Sequence, residues 1–367
     1  MTVLVAPDKF KGSLTAAQVA SALAGGLRAA GLAAREFPVA DGGEGTVAAA
    51  VAAGFRRVPV RVSGPTGRRI TAFFALRGDV AVVELAEASG LHRLPGGRPA
   101  PVTASSHGTG ELIAAARAAG ARRIVLGAGG SACTDGGAGM LMALGARVLD
   151  SAGATVGPGG LTSVSTVDLS GLPALELELA CDVDNPLLGP FGAAAVYGPQ
   201  KGASPEDIRV LEAGLRRWAS FFDPGHAATA GAGAAGGVGF AAVAALGARV
   251  RPGIELLLDL LGFTDAARTS RLILTGEGSL DPQSLHGKAP IGVLRAATAL
   301  GRPTVAVAGR CLLTAPEWRA AGFSAVHALA DLEPDPERCM ADARTLLHRT
   351  GERIARDHTT IEQRQSV

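Results

Sequence analysis

Two stretches of alternating strand and helix pattern, one at each end of the 367-residue chain, constrain its fold more than any other feature. At the start, Val3-Leu4-Val5-Ala6 has the unbroken hydrophobicity of a strand buried on both faces, and Pro7 closes it. Thr15 then caps a predicted helix to about residue 30, with Val19, Leu23 and Leu27 at helical spacing, and Gly31 ends it. A second strand over about 35–39 runs through Asp41-Gly42-Gly43-Glu44-Gly45-Thr46 into a helix reaching residue 53. Near the other end, Leu272-Ile273-Leu274, Thr304-Val305-Ala306-Val307-Ala308 and Ala325-Val326-His327-Ala328-Leu329 read as strands, with helices over 289–300 and about 336–356. These strands make one five-stranded, doubly wound parallel sheet of flavodoxin-like order. Its polar loops fall at the carboxyl ends of the strands, where open α/β sheets bind ligands.

Between the two stretches the pattern changes. Residues 56–85 alternate β-rich runs with turn signals at Gly64-Pro65-Thr66-Gly67 and Gly78-Asp79, which predicts an antiparallel meander. Helices are expected over 110–119, 138–144 and 205–222, and strands over 124–126, 146–149 and 175–180. The expected organisation is a discontinuous flavodoxin-like α/β domain, 1–55 and 268–367, with a mixed α/β domain, 56–267, inserted into it. Two sequential domains is the alternative.

Composition narrows the function. A net charge of +2, scattered arginines and 4% aromatic residues are not a nucleic-acid-binding pattern. Cys133, Cys181, Cys311 and Cys339 lack paired spacing, so a metal knuckle and a disulfide framework are both disfavoured and a reducing, cytoplasmic setting fits. The uncharged run 227–248 is mostly Ala and Gly, too weakly apolar for membrane insertion, and the N-terminus lacks a signal-peptide layout. Against 31 arginines stand 4 lysines, Lys9, Lys11, Lys201 and Lys288, all in glycine- or proline-containing polar stretches. A lysine offers a compact charge with rotatable donors, suited to phosphate oxygens that move during transfer, so these positions point toward an anion site.

Six loops combine glycine with groups able to do chemistry. Pro7-Asp8-Lys9-Phe10-Lys11-Gly12-Ser13 lies between a strand and a helix, the usual place of an anion site. Residues 41–46 carry two acids suited to a metal or a sugar-like hydroxyl, unless Asp41 or Thr46 merely caps the helix. Residues 103–111 hold Ser105, Ser106 and His107 without a Gly-x-Ser-x-Gly elbow, and a capping box from Thr109 or Ser106 is the simpler reading. Residues 127–139 open on a poor dinucleotide fingerprint and read better as a phosphate-cradling nest. Cys181-Asp182-Val183-Asp184-Asn185-Pro186 follows a strand and offers ligands for Mg²⁺ or substrate. Thr275-Gly276-Glu277-Gly278-Ser279-Leu280-Asp281 leads on to Gly287-Lys288. The chain has no P-loop motif, and Gly231-x-Gly233-x-x-Gly236 follows no strand, so it reads as a flexible loop.

In this order, residues 6–14, 40–46, 129–137, 181–187 and 275–278 resemble the bacterial glycerate kinase family. The resemblance implies two α/β domains with a ligand cleft between them. It also implies an ATP- and Mg²⁺-dependent kinase acting on D-glycerate, mostly at the 2-hydroxyl, with 3-kinase activity or a non-enzymatic small-acid sensor as alternatives. On that reading, Lys9, Lys11, Gly12, Ser13, Gly129, Gly130, Ser131, Thr134, Gly276, Glu277, Gly278 and Lys288 bind nucleotide. Asp41, Glu44, Ser105, Ser106, Asp135 and Asn185 contact glycerate, and Asp8, Asp182 and Glu277 are the Mg²⁺ candidates, the metal-ligand and base roles being interchangeable among Asp8, Asp182, Asp41 and Asp184. Lys11, Lys288, Asp41 and Asp184 are the catalytic candidates. Many members carry Ser at the position of Lys9, which makes Lys11 the stronger phosphate contact. Both monomer and homodimer are compatible with the sequence. A nicotinamide-dependent dehydrogenase would need a true fingerprint, which the chain lacks.

Overall fold

The first apolar run forms β1 (Thr2–Pro7), and Val3, Leu4, Val5 and Ala6 are all fully buried. A computed structural model describes residues 2–365, the side chains at 286 and beyond 357 excepted. The remaining strands, in chain order, are β2 (Ala33–Glu36), β3 (Arg56–Ser63), β4 (Arg69–Arg77), β5 (Val80–Glu84), β6 (Arg123–Gly127), β7 (Arg147–Leu149), β8 (Thr166–Asp168), β9 (Glu176–Ala180), β10 (Arg249–Arg251), β11 (Leu272–Leu280), β12 (Thr304–Cys311) and β13 (Ala325–Ala328). They belong to two compact units, Met1–Asp41 with Ile254–Val367, and Gly42–Gly253.

In the first unit the order β2-β1-β11-β12-β13 is parallel throughout, the 2-1-3-4-5 order of flavodoxin-like sheets. Side chains alternate across this sheet. Val3, Val5, Leu274, Val305 and Val307 meet helices Ala16–Ala29 and Ala343–Gln365, while Ala306 and Ala308 join Ile291 and Leu294 of helix Ala289–Thr298. Thr15 caps the first helix through a reciprocal capping box with Gln18. That helix approaches Ala343–Gln365 so closely that a Cβ on Gly26 would lie 1.9 Å from the carbonyl oxygen of His348.

In the second unit β3, β4 and β5 form the expected antiparallel meander, and β5, β6, β9 and β10 continue it in parallel. Its core gathers Phe74, Leu112, Ile113, Ile124, Leu126, Trp218 and Phe240. Strand β7, expected over 146–149, stands outside the six-stranded sheet and pairs antiparallel with β8, with a further bridge from Leu149 to Thr155.

Several local readings change. Helix Thr46–Ala52 packs on β4 and β5, and Ile254 packs on Gly292 of the first unit. The units therefore divide at 41/42 and 253/254, where the sequence reading drew 55/56 and 267/268. Helix His107–Ala118 starts before its expected position at residue 110, and its glycines admit close neighbours: a Cβ on Gly108 would lie 1.9 Å from the Ser63 carbonyl oxygen. The final helix is two helices, Pro336–Ala341 and Ala343–Gln365. The glycine-rich run at 231–237 is buried rather than a loose surface loop. There Ala235 (φ 53°), Gly236 and Gly237 form a left-handed stretch pressed on the Cys133 carbonyl. No helix among the described residues is long and apolar enough to cross a membrane.

Candidate active site

In a 2-1-3-4-5 sheet the strand order reverses between the first and third strands, here β1 and β11, and the crevice beyond their carboxyl ends is where such sheets take ligands. Asp8 follows β1 at this point, its amide donating to the Gly276 carbonyl at 2.8 Å. Glu277 lies on β11, directly after the Pro7–Gly276 register pair. Asp41 ends the segment leaving β2 and acts electrostatically on both. Three carboxylates thus gather at the reversal.

Their electrostatics are unusual. Asp8 is 7% exposed, and burial, reinforced by the negative charge of Asp41, raises its pKa from 3.8 to about 7. Lys9 opposes the rise from 3.7 Å, and its amide donates to Asp8 Oδ1 at 2.6 Å. Burial also raises Glu277, while Ser284 and Lys288 oppose. Its Oε1 is buried with no hydrogen-bond partner. Asp281, bonded to Ser284, lies 3.9 Å from Lys288 Nζ at the start of helix Ala289–Thr298.

The 10–14 turn is more self-contained than its sequence suggests. The Ser13 and Leu14 amides both donate to the Phe10 carbonyl, and Gln18 NH donates to Thr15 Oγ1. Ser13 Oγ donates to Met340 O at 2.9 Å. Lys11 is exposed on this turn, with Gly12 at φ 80° beside it. Gly278 runs close by, a Cβ there falling 3.3 Å from the Lys11 nitrogen. Gly276 answers a tighter demand, since its Cβ would lie 1.9 Å from the Val307 carbonyl oxygen.

The second unit places its predicted residues in separate networks. Asp135 accepts from the hydroxyls of Ser105 and Ser106 and from the amides of Ser106, Gly137 and Gly139. Ser106 Oγ also accepts from the Met140 amide, so neither it nor Thr109, which bonds Ser89, forms the expected capping box. Ser131 and Thr134 accept from Lys201, whose ammonium also bonds the Cys133 carbonyl. Lys201 is 3% exposed, and burial depresses its pKa. Of the four lysines read as marking anion sites, this one is committed to protein oxygens.

The glycines of the 127–139 loop have packing reasons. Gly129 NH donates to Gly42 O, a Cβ on Gly129 would lie 2.5 Å from Gly43 Cα, and one on Gly136 would lie 2.5 Å from Trp218. Gly130, at φ 74°, accepts from the Leu91 amide through its carbonyl. Asp182 and Asp184 are exposed after β9, Asp182 Oδ1 accepting from Gly253 NH at 2.7 Å. Asn185 is held by Tyr197 OH at 2.6 Å and donates to Phe191 O. Glu44 is exposed, 3.3 Å from His92 Nδ1.

Sequence reasoning missed Glu84, which ends β5 and is 3% exposed. Its Oε2 accepts from the amides of Gly45 and Val47, capping helix Thr46–Ala52 where Gly45 has no side chain to do so. Burial raises its pKa from 4.5 to about 7. The acid at the end of a strand was visible, but its partner lay 37 residues away.

The profile of the glycerate kinase family matches residues 3–359. The chain is similar to a glycerate kinase of Bacillus subtilis (strain 168), 45% identical over 324 residues that cover 84% of this chain and 85% of the relative. It is similar to a glycerate 2-kinase of Escherichia coli (strain K12), 43% identical over 325 residues, with coverages of 84% and 85%. A crystal structure of a glycerate kinase 2 candidate from Salmonella typhimurium LT2 superposes with a TM-score of 0.85 at 40% identity, covering 100% of both chains. A likeness running from the first strand to the last helix makes this chain a member of the glycerate kinase family.

Proposed function

We propose that the chain transfers the γ-phosphoryl group of ATP to a hydroxyl of D-glycerate, giving 2-phosphoglycerate, in the cytoplasm. The observation that carries this reading is the set Asp8, Asp41 and Glu277 at the strand reversal, with Lys9 and Lys288 beside it. Phosphoryl transfer is mostly positioning and charge neutralisation, and needs carboxylates near the acceptor and cations near the phosphates.

Mg²⁺ fits the residues present. A buried carboxylate oxygen without a partner on Glu277, beside Asp8, whose pKa is raised to about 7 first by burial and then by the negative charge of Asp41, is a site short of positive charge. No three Asp, Glu, His or Cys side chains among the described residues form a complete cage, but Mg²⁺ usually takes one or two carboxylates and completes its shell with phosphates and water. Asp8 and Glu277 would hold it, and it would neutralise charge on the transferring phosphates. Lys11 and Lys288 would contact phosphate oxygens, and Asp41 would orient the glycerate hydroxyl and accept its proton. Asp182 and Asp184 are the second unit's candidates for carboxylate roles. Asp135, Ser105, Ser106 and Lys201 act through the backbone they hold, because their polar atoms already have protein partners.

The test is a ³¹P spectrum after incubation with ATP, Mg²⁺ and D-glycerate. Phosphorus on the 2-oxygen couples to a single carbon-bound proton and gives a doublet. A triplet would mean transfer to the terminal hydroxyl, and no new ester signal would overturn the reading.

A further inference from the structure

The amino ends of β6, β9 and β10 in the second unit open onto a cavity of about 840 Å³. Arg117, Arg122 and Arg249 line it, with Glu176 as the one acidic side chain of the lining. It lies at the opposite end of these parallel strands from the 127–135 and 181–185 loops. The five residues of β6 alone put about 13 Å between the two ends.

The pairing pattern separates these arginines from their neighbours. Arg123 and Arg251 each reach Glu178, a carboxylate only 5% exposed, so two of this sheet's cations share one internal ion-pair partner. Arg117, Arg122 and Arg249 have no hydrogen-bond or ion-pair partner through their side chains among the described residues. Arg117 sits in the last turn of helix His107–Ala118, where the helix dipole favours a cation. No such reason applies to Arg122, in the turn before β6, or to Arg249, on the edge strand. Backbone bonds hold Arg122 on both sides: its NH donates to Asp79 O at 2.8 Å, and its carbonyl accepts from Glu176 NH at 3.3 Å. Gly120, Ala121, Ala174 and Gly247 keep the lining low, leaving the volume open to a ligand.

We propose that this cavity binds a small phosphate monoester. A guanidinium presents a planar fork that grips phosphate oxygens in pairs, and three such forks exceed what a single carboxylate requires. The volume exceeds that of the phosphate itself and accommodates a short organic remainder against Leu175 and Leu177.

Titration calorimetry with methyl phosphate in chloride buffer tests the assignment. Saturable binding to the wild-type chain is expected, weakened at least about tenfold in R117Q/R122Q/R249Q. The equal charge change R35Q/R56Q/R61Q, at exposed arginines elsewhere, should leave it intact. Thermal melts check folding; if the triple variant fails to fold, R122Q and R249Q singly should each weaken binding at least about threefold. Absence of saturable wild-type binding, undiminished binding in the cavity variants, or equal weakening in the control overturns the proposal.

Discussion

Glu84→Gln should change how stability depends on pH more than it changes stability at any one pH. In the folded protein the Glu84 carboxyl ionises at about 7, against 4.5 ordinarily, chiefly because burial disfavours its charge. Between these values the folded state holds a proton that the unfolded state has released. The contribution of Glu84 to stability is therefore greatest below pH 4.5 and is lost as pH rises through 7. A shift of this size corresponds to roughly 3 kcal/mol, a large share of the stability of an ordinary domain. The amide variant cannot ionise, yet its carbonyl can still accept from the amides of Gly45 and Val47. Urea unfolding of both proteins from pH 4.5 to 8 should show the wild type losing about 3 kcal/mol relative to the variant. A Trp318→Phe background leaves the buried Trp218 to report on the second unit, and contributions from other titrating groups cancel in the comparison. Parallel curves, with a difference constant to within about 0.5 kcal/mol, would refute the reasoning.

Two further outcomes follow from the first unit. Asp8→Asn should fold normally, because it removes a buried charge that burial disfavours, while turnover with ATP and glycerate falls about 10²–10³-fold; wild-type kcat would remove Asp8 from the mechanism. Gly276→Ala should destabilise that unit by about 3 kcal/mol in urea melts, since the added Cβ would sit 1.9 Å from the Val307 carbonyl oxygen in the middle of the sheet.

Legibility varied with how local the determining physics was. The strands of the parallel sheet stood out because Val3–Ala6 and Leu272–Leu274 are covered on both faces and so are apolar without interruption. Strand β10 was missed because Arg249-Val250-Arg251 is a short edge segment whose charged residues look like loop. The Asp8, Asp41 and Glu277 loops were legible as strand-end loops, but their mutual electrostatic effect depends on the pairing of β1 with β11, formed by residues far apart in sequence. Lys201 misled for a related reason. Its polar, glycine-flanked surroundings suggested solvent and ligand, whereas burial against Ser131 and Cys133 comes from a loop about 70 residues earlier. The density of glycine at 127–139 reads in the sequence as an anion nest, and the close approaches of Gly129 to Gly43 and of Gly136 to Trp218 give it a packing reason as well, set by partners distant in sequence.

The central strand β1 also imposes an order of events on biosynthesis. It leaves the ribosome well before its neighbour β11, which begins at residue 272. At about 5–20 residues per second, Val3-Leu4-Val5-Ala6 waits roughly 10–50 s for the strand that completes its pairing. The contiguous segment Gly42–Gly253 is complete within that interval and can collapse on its own core. The nascent chain thus carries a folded insert behind the apolar run Val3–Ala6, whose β2 edge can pair early but whose β11 edge stays open, the kind of edge that holdase chaperones shield.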